Sequence, residues 1–430
     1  MKKQFKLYQG DNMESLRKLP DNSIDSVVTD PPYGLSFMGK KWDYQVPSKE
    51  FWQEVYRVLK PGGHVLSFGG TRTYHRMVVN LEDGGFEIRD CISWIYGSGF
   101  PKSLNIGKAV DKIQGNEREV VGSVNRHDFK DPQYIEQGSM MKTANSAMID
   151  LPITKGTSPY EGQGTALKPA QEIICVARKP ISEKTIAENV LKWGTGGLNI
   201  DGSRIGTEER NNGSSLRDIR RGSLDSQVSS KRDRLEREDS IVEGRFPANI
   251  ILDEEAGQML DDMSGVSVSK KGKLRKADEE YKSWSSRSTA GPHNEYDDKG
   301  GASRFFYCAK VSKAERNMGL DGFEEKIQGD GRKIIKADTP QQRQIHNPKK
   351  NFHPTIKPIT LMSYLINLVT PVNGIILDPF MGSGSTGIAA QLNGFRFCGM
   401  EIDTEYFKIA EARIENYEMY RKFLEKKKKK

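Results

Sequence analysis

Alternating apolar and polar blocks over the first hundred residues predict a run of strands and helices. Strands are expected at residues 5–11, 24–30, 64–68 and 86–96, and helices at 12–19, 51–59 and 71–81. The strand over 24–30 is apolar and β-branched on both faces, as in a parallel sheet that is covered on both sides. Pro61-Gly62-Gly63 is expected to end the second helix. Strands that alternate with helices are typical of a wound, mostly parallel sheet.

The pattern changes after about residue 104. Residues 105–167 are polar and irregular, and 172–177 form one further apolar strand. Residues 201–300 are rich in serine, glycine and mixed charges, which is typical of exposed loops or of segments that become ordered on a partner. Two short segments are expected to be packed: residues 244–252, within this stretch, and residues 303–310, just after it.

Regular elements return near the end of the chain. They are a helix over 359–369, a strand over 375–377, a glycine-rich turn at 382–387 that leads into a helix to residue 392, a strand over 395–401 and an amphipathic helix over 405–424. Two sheet-forming blocks are therefore expected to flank a long polar insertion.

Composition narrows the class of protein. The chain has 430 residues, of which 35% are apolar, and this excludes an intrinsically disordered chain. The net charge is +8, but five of these charges belong to the lysine run 426–430, which favours a solvated tail over a specific site. We expect no membrane span and no signal peptide, because no stretch is apolar enough for either. The four cysteines lie far apart in sequence without CxxC or CxxH spacing, which supports neither a disulfide framework nor a zinc knuckle. We expect a cytoplasmic protein with no membrane association and no bound metal.

A glycine-rich segment, DPFMGSGSTG at 378–387, follows a predicted strand and begins a helix. Gly382, Gly384 and Gly387 form a GxGxxG pattern, which lets the backbone approach a ligand closely. Glu401 ends the next strand, where an acidic side chain can bind ribose hydroxyls. A phosphate-binding P-loop is excluded because no Lys-Ser/Thr pair follows the glycines. A tight turn without a ligand and a nicotinamide site both stay open.

A second segment, DPPY at 30–33, lies at the carboxyl end of the predicted strand over 24–30. Ligands bind just outside such strand ends in open α/β sheets. The prolines hold a carbonyl acceptor in place, Asp30 supplies a second acceptor, and Tyr33 supplies a flat aromatic face. This set fits a planar heterocycle with an amino group, and a proline turn with Asp30 as a helix cap is the alternative.

Together the two segments resemble the amino-methyltransferases that act on exocyclic amines of DNA bases. DPPY comes first and the glycine-rich segment last, an order similar to that of the permuted β group of this family. Other similar stretches follow in order: GD at 10–11, PDNSID at 20–25, GFPKS at 99–103, KPISEKTIAENVLKWGTGGLNIDG at 179–202 and HPTIKP at 353–358. The resemblance covers roughly residues 5–103, 168–203, 244–252, 303–310 and 351–415.

The resemblance implies an α/β fold with a doubly wound, mostly parallel sheet of the S-adenosylmethionine-dependent methyltransferase type and a large polar insertion for DNA recognition. The implied parts are a catalytic half at 1–103, a polar insertion at 104–167, a returning strand at 168–180, a target-recognition region at 181–350, a cofactor-binding half at 351–425 and a lysine tail at 426–430. The recognition region contains the arginine, lysine, asparagine and glutamine side chains that can read base edges.

The resemblance also implies roles for individual residues. Asp30 and the Pro31 carbonyl would accept hydrogen bonds from the target amine, and Tyr33 would stack on the flipped base; the catalytic set is Asp30, Pro31, Pro32 and Tyr33. Asp11 would bind the adenine of S-adenosylmethionine and Glu401 its ribose. The full cofactor-binding set is Asp11, His353, Lys357, Asp378, Pro379, Phe380, Gly382, Ser383, Gly384, Thr386 and Glu401. A side chain at Gly384 is expected to occupy cofactor space.

The implied reaction is methyl transfer to N6 of a flipped adenine in duplex DNA. N4-cytosine is the alternative within the family, in which serine is commoner than aspartate before Pro-Pro-Tyr. The absence of a Pro-Cys dipeptide argues against a cytosine ring-carbon enzyme. An RNA-modifying enzyme, a nicotinamide-dependent oxidoreductase and an idle DNA-binding protein are more distant alternatives. A cognate restriction endonuclease and a homodimer are open as partners.

Four acidic residues carry a geometric prediction. Asp11, Asp30, Asp378 and Glu401 each end a predicted strand. The carboxyl ends of parallel strands share one edge of a sheet. We therefore expect these four residues to converge on one cleft.

Overall fold

A computed structural model describes residues 4–35, 43–97, 99, 103–125, 150–211, 241–268, 298–309, 313–326 and 349–428. Most of the GFPKS segment at 99–103 and the last two residues of the lysine tail lie outside these ranges. The chain divides into two compact units, Ser98–Ala170 and the remainder, Met1–Gly97 with Gln171–Lys430. No helix within the described ranges is long and apolar enough to cross a membrane.

The chain contains short strands and helices in alternation. The strands are β1 (Phe5–Gln9), β2 (Ile24–Thr29), β3 (Leu59–Gly69), β4 (Glu87–Ile95), β5 (Glu119–Asn125), β6 (Asp150–Lys155), β7 (Gln171–Arg178), β8 (Ile205–Asn211), β9 (Ile241–Arg245), β10 (Ile250–Asp253), β11 (Ser267–Val268), β12 (Lys299–Gly300), β13 (Tyr307–Ala309), β14 (Ile375–Asp378) and β15 (Arg396–Glu401). The helices are α1 (Asn12–Arg17), α2 (Lys49–Val58), α3 (Tyr74–Asp83), α4 (Ile106–Gln114), α5 (Ile186–Trp193), α6 (Glu254–Ser264), α7 (Ile359–Val369), α8 (Ser385–Leu392), α9 (Thr404–Glu415) and α10 (Tyr417–Lys428).

A nine-stranded sheet forms the centre of the larger unit, in the order β1-β15-β14-β2-β3-β7-β4-β10-β13. All neighbouring strands are parallel except for β7, which is antiparallel to both β3 and β4. The two strands β14 and β15 from the end of the chain lie between β1 and β2 from its beginning. The predicted α/β fold with a mostly parallel sheet is confirmed.

Successive residues of the central strands face two different cores. Val27 and Leu377 pack with α1, α2 and α3 on one face of the sheet. Val28 and Ile376 pack with α7, α8 and α9 on the other face. Since both faces are covered, the central strands are apolar throughout rather than alternating, as the sequence indicated for β2.

The structure differs from the prediction around Pro61. Helix α2 ends at Val58 and β3 begins with the next residue, so Pro61-Gly62-Gly63 lies inside a strand. The pairing of β3 with β2 shifts at this point, which makes the tripeptide part of a bulge. Gly62 has a φ of 79°, a conformation that favours glycine, and a bulge also tolerates a proline that has no N–H to donate.

The polar insertion expected between the two sheet-forming blocks contributes two strands to the sheet, which the sequence did not indicate. Strands β10 and β13, which lie in the short segments at 244–252 and 303–310, extend the sheet beyond β4. Helix α6 follows β10 directly and was expected to be loop. Strands of four and three residues are too short to show a periodic pattern in the sequence.

The smaller unit is more regular than its sequence indicated. It contains α4, capped by Asn105, and an antiparallel pair formed by β5 and β6. Arg118 joins these parts through ion pairs with Asp111 on the helix and with Glu161, whose carboxylate lies 2.7 Å from the guanidinium. The polar residues of this stretch therefore pair with one another, which explains why no apolar pattern marks it.

Candidate active site

The four acidic residues of the geometric prediction lie at one edge of the sheet. Glu401 and Asp378 end the adjacent strands β15 and β14, and Asp11 and Asp30 follow the flanking strands β1 and β2. Because the four strands are neighbours and parallel, their carboxyl ends meet, as the sequence predicted. The DPPY segment and the glycine-rich turn thus belong to the same unit.

The backbone of the DPPY loop is held by two side chains that sequence reasoning missed. The buried Asp43 carboxylate accepts from the amides of Tyr33, Gly34 and Leu35 at 2.6, 3.0 and 3.2 Å. The Thr73 hydroxyl donates to the Tyr33 carbonyl at 2.5 Å. Such bonds leave the loop little freedom, so that Asp30 and Tyr33 have fixed positions.

The Asp30 carboxylate belongs to a cluster of four polar side chains. The Tyr33 hydroxyl lies 2.8 Å from Asp30 Oδ1 and 2.9 Å from Glu172 Oε2. The Lys357 ammonium donates to Asp30 Oδ2 at 2.6 Å and lies 3.1 Å from Glu172 Oε2. We call Asp30, Tyr33, Glu172 and Lys357 the carboxylate cluster. Lys357 was expected to bind the cofactor, but its ammonium lies on the DPPY side.

Burial and charge fix the protonation of Lys357 and Tyr33. Burial lowers the pKa of Lys357, but the nearby Asp30 and Glu172 carboxylates outweigh it and raise the pKa above the ordinary lysine value. Burial, together with the same two carboxylates, raises the pKa of Tyr33 well above its usual range. Lys357 is therefore a cation and Tyr33 a neutral phenol at physiological pH.

The Asp378 carboxylate ties the glycine-rich turn to β2. It accepts from Thr29 Oγ1 at 2.7 Å, from Thr386 Oγ1 at 2.6 Å and from the Phe380 amide at 3.1 Å. Burial raises the pKa of Asp378 to about 6, against the effect of these three donors. The carboxylate thus braces the turn internally, and its contact with a cofactor stays a prediction.

The glycines of the turn are required by close neighbours. A Cβ on Gly382 would lie 2.8 Å from His353 Nε2. A Cβ on Gly384, which has a φ of 83°, would lie 3.1 Å from the Cα of Ala410 on α9. The expectation that a side chain at Gly384 would fill cofactor space is therefore wrong, because the left-handed backbone directs that position toward the helix.

A buried arginine supports the turn from behind. Arg413 is fully buried on α9 and donates to the carbonyl and hydroxyl oxygens of Ser383 at 2.5 and 2.9 Å. It also donates to the Tyr420 hydroxyl at 2.9 Å and to the Glu315 carbonyl at 3.4 Å. Sequence reasoning missed this role, although an arginine between the apolar residues of the stripe IAEARI is a usable signal.

The remaining predicted cofactor residues lie around the same edge. Glu401 accepts from the amides of Gly382 and Asp403, both at 2.9 Å, and burial raises the pKa of Glu401 to about 7. Asp11 caps α1 by accepting from the amides of two residues of its first turn. His353 packs against Tyr406, and burial lowers the pKa of His353 to about 4, so its ring is neutral at physiological pH.

Comparison with known proteins identifies the family. The chain belongs to the N6/N4 DNA methylase family, whose model matches residues 24–412. The type II methyltransferase M2.DpnII of Streptococcus pneumoniae is 48% identical over 63 residues, which are 15% of this chain and 24% of that protein. The DNA adenine methyltransferase YhdJ of Escherichia coli is 38% identical over 78 residues, 18% of this chain and 26% of that protein. The chain thus spans about a quarter of the length of these relatives.

Among solved structures, the cytosine-N4-specific PvuII DNA methyltransferase matches with a TM-score of 0.41 and 14% identity, covering 95% of this chain and 86% of that one. A TM-score of this size does not establish a common fold, so the fold is assigned from the sheet order of this chain.

S-adenosylmethionine is the cofactor of this family. The residues at the sheet edge fit it. Ser385, at the start of α8, has a buried hydroxyl that lacks a hydrogen-bond partner among the described residues. Asp11 and Glu401 offer carboxylate oxygens at the neighbouring strand ends. Within the described part of the chain no group of side chains could hold a metal ion.

Proposed function

We propose that this chain transfers a methyl group from S-adenosylmethionine to N6 of an adenine that is flipped out of duplex DNA. The hydrogen bond of 2.7 Å between Thr29 and Asp378 carries the proposal. It joins the end of the DPPY strand to the glycine-rich turn, so Asp30, the next residue, adjoins the cofactor-binding half. A target amine on Asp30 would then be close to the methyl donor.

The proposed mechanism depends on two acceptors. An aryl amine is a poor nucleophile because its lone pair is delocalised into the ring. Asp30 and the Pro31 carbonyl accept hydrogen bonds from the amine and so favour the pyramidal nitrogen of the transition state. When bound, S-adenosylmethionine supplies the methyl group from a positively charged sulfur. Tyr33 stacks on the base, which must first leave the helix at a cost in unstacking energy.

The choice of adenine over cytosine rests on two observations. An aspartate precedes Pro-Pro-Tyr in this chain, whereas serine is commoner among the N4-cytosine enzymes that the sequence resembles. The relative YhdJ is a DNA adenine methyltransferase. Both observations support N6 of adenine as the target.

The proposal is tested by expressing the chain in cells that lack DNA methylation. We expect N6-methyladenine in the hydrolysed DNA by mass spectrometry, at one recurring sequence by single-molecule sequencing. N4-methylcytosine would show that the target base is wrong. If neither base appears, binding assays with tritiated S-adenosylmethionine and a nicotinamide cofactor decide between an idle methylase fold and an oxidoreductase.

We assign recognition of the DNA sequence to residues 181–350, with help from 104–167. This assignment is supported by the polar composition of both stretches and by side chains that can read base edges. Exchanging 181–350 for the corresponding segment of a relative is expected to move the methylated sequence, as mapped by sequencing. An exchanged protein that keeps its original sequence would place recognition elsewhere.

Glu401 is expected to make cofactor binding depend on pH. The pKa of its carboxyl group is about 7 in the free protein, and ribose hydroxyls donate best to the ionised form. Affinity for S-adenosylmethionine should therefore be highest above pH 7 and fall by up to about tenfold per pH unit below it. Isothermal titration calorimetry measures this. Glu401→Gln should bind weakly at every pH, whereas Glu418→Gln, on the exposed face of α10, should keep the profile.

A further inference from the structure

The carboxylate cluster contains more charge than the proposed mechanism uses. Asp30 is the acceptor for the target amine, but its carboxylate also contacts an ammonium group at 2.6 Å. A cation at that distance cancels most of the charge for which a catalytic carboxylate is useful. Glu172, at the start of β7, supplies a second carboxylate to the same ammonium at 3.1 Å.

We propose that Lys357 and Glu172 are positioning residues for methyl transfer, which together with Asp30 hold one net negative charge beside the attacked nitrogen. This inference rests on the proposed function and extends it to two residues outside DPPY. Lys357 fixes the orientation of the Asp30 carboxylate. Glu172 offsets the charge of Lys357, so that the negative charge of Asp30 is not lost.

The reaction explains why one negative charge is useful. The lone pair of the amine forms the new N–C bond while the S–C bond breaks and its electron pair stays on sulfur. The positive charge thereby passes from sulfur to nitrogen, and one proton then leaves the nitrogen along its hydrogen bond to Asp30. Fixed negative charge beside the nitrogen stabilises this developing positive charge, most strongly in a site that excludes water.

Tyr33 gives Glu172 a second role. A phenol has a single hydrogen to donate, and the Tyr33 hydroxyl lies almost equally far from Asp30 and Glu172, at 2.8 and 2.9 Å. When the target amine donates to Asp30, Tyr33 can turn its hydrogen to Glu172. The base can therefore enter the site without leaving the buried phenol unpaired, which would cost free energy.

The surroundings preserve this charge balance. Lys357 lies over the ring of Phe68, 4.9 Å from its centroid, which supports the ammonium without adding a charge. Among the described residues, His353 and Tyr96 also interact electrostatically with Lys357, and Asp378 with Asp30. His353 and Tyr96 are neutral at physiological pH. Burial is the main cause, because it lowers the pKa of the histidine and raises the pKa of the tyrosine.

Two single variants change the net charge of the cluster in opposite directions, and the double variant restores it. Glu172→Gln leaves Asp30 and Lys357 with no net charge, and methyl transfer should slow by about 10- to 100-fold at every pH. Lys357→Met leaves two carboxylates without a cation, so that they share a proton near neutral pH. Its transfer rate should be about 100-fold low at pH 7 and rise toward pH 9 as the proton is lost. The double variant restores one negative charge and should be faster than Lys357→Met at pH 7, without the rise.

The measurement is the single-turnover rate of methyl transfer on preformed DNA complexes between about pH 6 and pH 9, because this isolates the chemical step. Affinity for S-adenosylmethionine should stay within about twofold of wild type in all three variants, since the cluster lies on the DPPY side. Lys60→Met is the matched control: it removes an ammonium from Asp25 in the same sheet, and it should keep the wild-type rate and profile.

Thermal melting shows which variants fold. If Lys357→Met is unfolded, the inference is tested with Glu172→Gln and Lys357→Arg instead. Lys357→Arg should transfer the methyl group more slowly than wild type, but its rate should not change with pH because the variant keeps the positive charge. A wild-type rate in Glu172→Gln, or a rise with pH in the double variant equal to that of Lys357→Met, would overturn the inference. A wild-type chain that methylates no DNA would overturn the proposed function and the inference with it.

Discussion

Replacing Asp30 with alanine is expected to slow methyl transfer by about a thousandfold or more, while affinity for S-adenosylmethionine changes by less than about threefold. The reason is geometric. The Asp30 carboxylate contacts Tyr33 and Lys357, whereas the cofactor-side carboxylates of Asp378 and Glu401 bond within the glycine-rich turn and its surroundings. The hydrogen bond that Asp30 accepts from the target amine is therefore expected to be strongest in the transition state, when the nitrogen becomes pyramidal, and not when the cofactor binds.

Single-turnover rates and calorimetric titration measure the two quantities separately. Asp83→Ala, which removes an exposed aspartate at the end of α3, is the control and should match wild type in both. An active Asp30→Ala enzyme would overturn the mechanism. A parallel loss of cofactor affinity would instead place Asp30 among the cofactor-binding residues.

Arg413→Met is expected to have the largest effect on stability and on cofactor binding together. The change leaves the carbonyl and hydroxyl oxygens of Ser383 and the Tyr420 hydroxyl oxygen without the buried donor that Arg413 supplies. Each buried polar group that loses its hydrogen-bond partner lowers stability by about 1–3 kcal/mol, so the free energy of unfolding should fall by about 3 kcal/mol or more. Because Ser383 lies within the glycine-rich turn, affinity for S-adenosylmethionine should also fall, by about tenfold.

Thermal melting and calorimetry test this prediction. Arg421→Met is a matched control on the next helix, where the arginine forms an exposed pair with Glu418 that contributes little to stability. The control should melt like the wild type. Unchanged melting and cofactor affinity in Arg413→Met would mean that the turn holds its shape without this support.

The sequence predicted best what depends on neighbouring residues. Helix α7 occupies the predicted residues 359–369, because its apolar pattern is long and a proline precedes it. Strand β2 falls one residue short of its prediction, at Thr29. The convergence of DPPY and the glycine-rich turn was also predictable, since the carboxyl ends of parallel strands must share an edge.

What the sequence could not indicate depends on residues distant in the chain. Glu172 begins an ordinary apolar strand, and only the position of β7 between β3 and β4 brings it to Lys357. Asp43 is one of many acidic residues until the DPPY loop folds back onto it. The break between α9 and α10 at Asn416, within a helix predicted as continuous over 405–424, is likewise hidden in an amphipathic pattern that continues across it.

The antiparallel strand β7 also has a consequence for engineering. Ile95, at the end of β4, pairs directly with Gln171, at the start of β7, although the whole smaller unit lies between them in the chain. Paired strands lie about 5 Å apart, which a tight turn of two to five residues can connect. The smaller unit is thus an enlarged hairpin loop. A chain in which such a turn replaces it should still assemble the nine-stranded sheet, and the unit itself can be exchanged as a cassette without redesigning the scaffold.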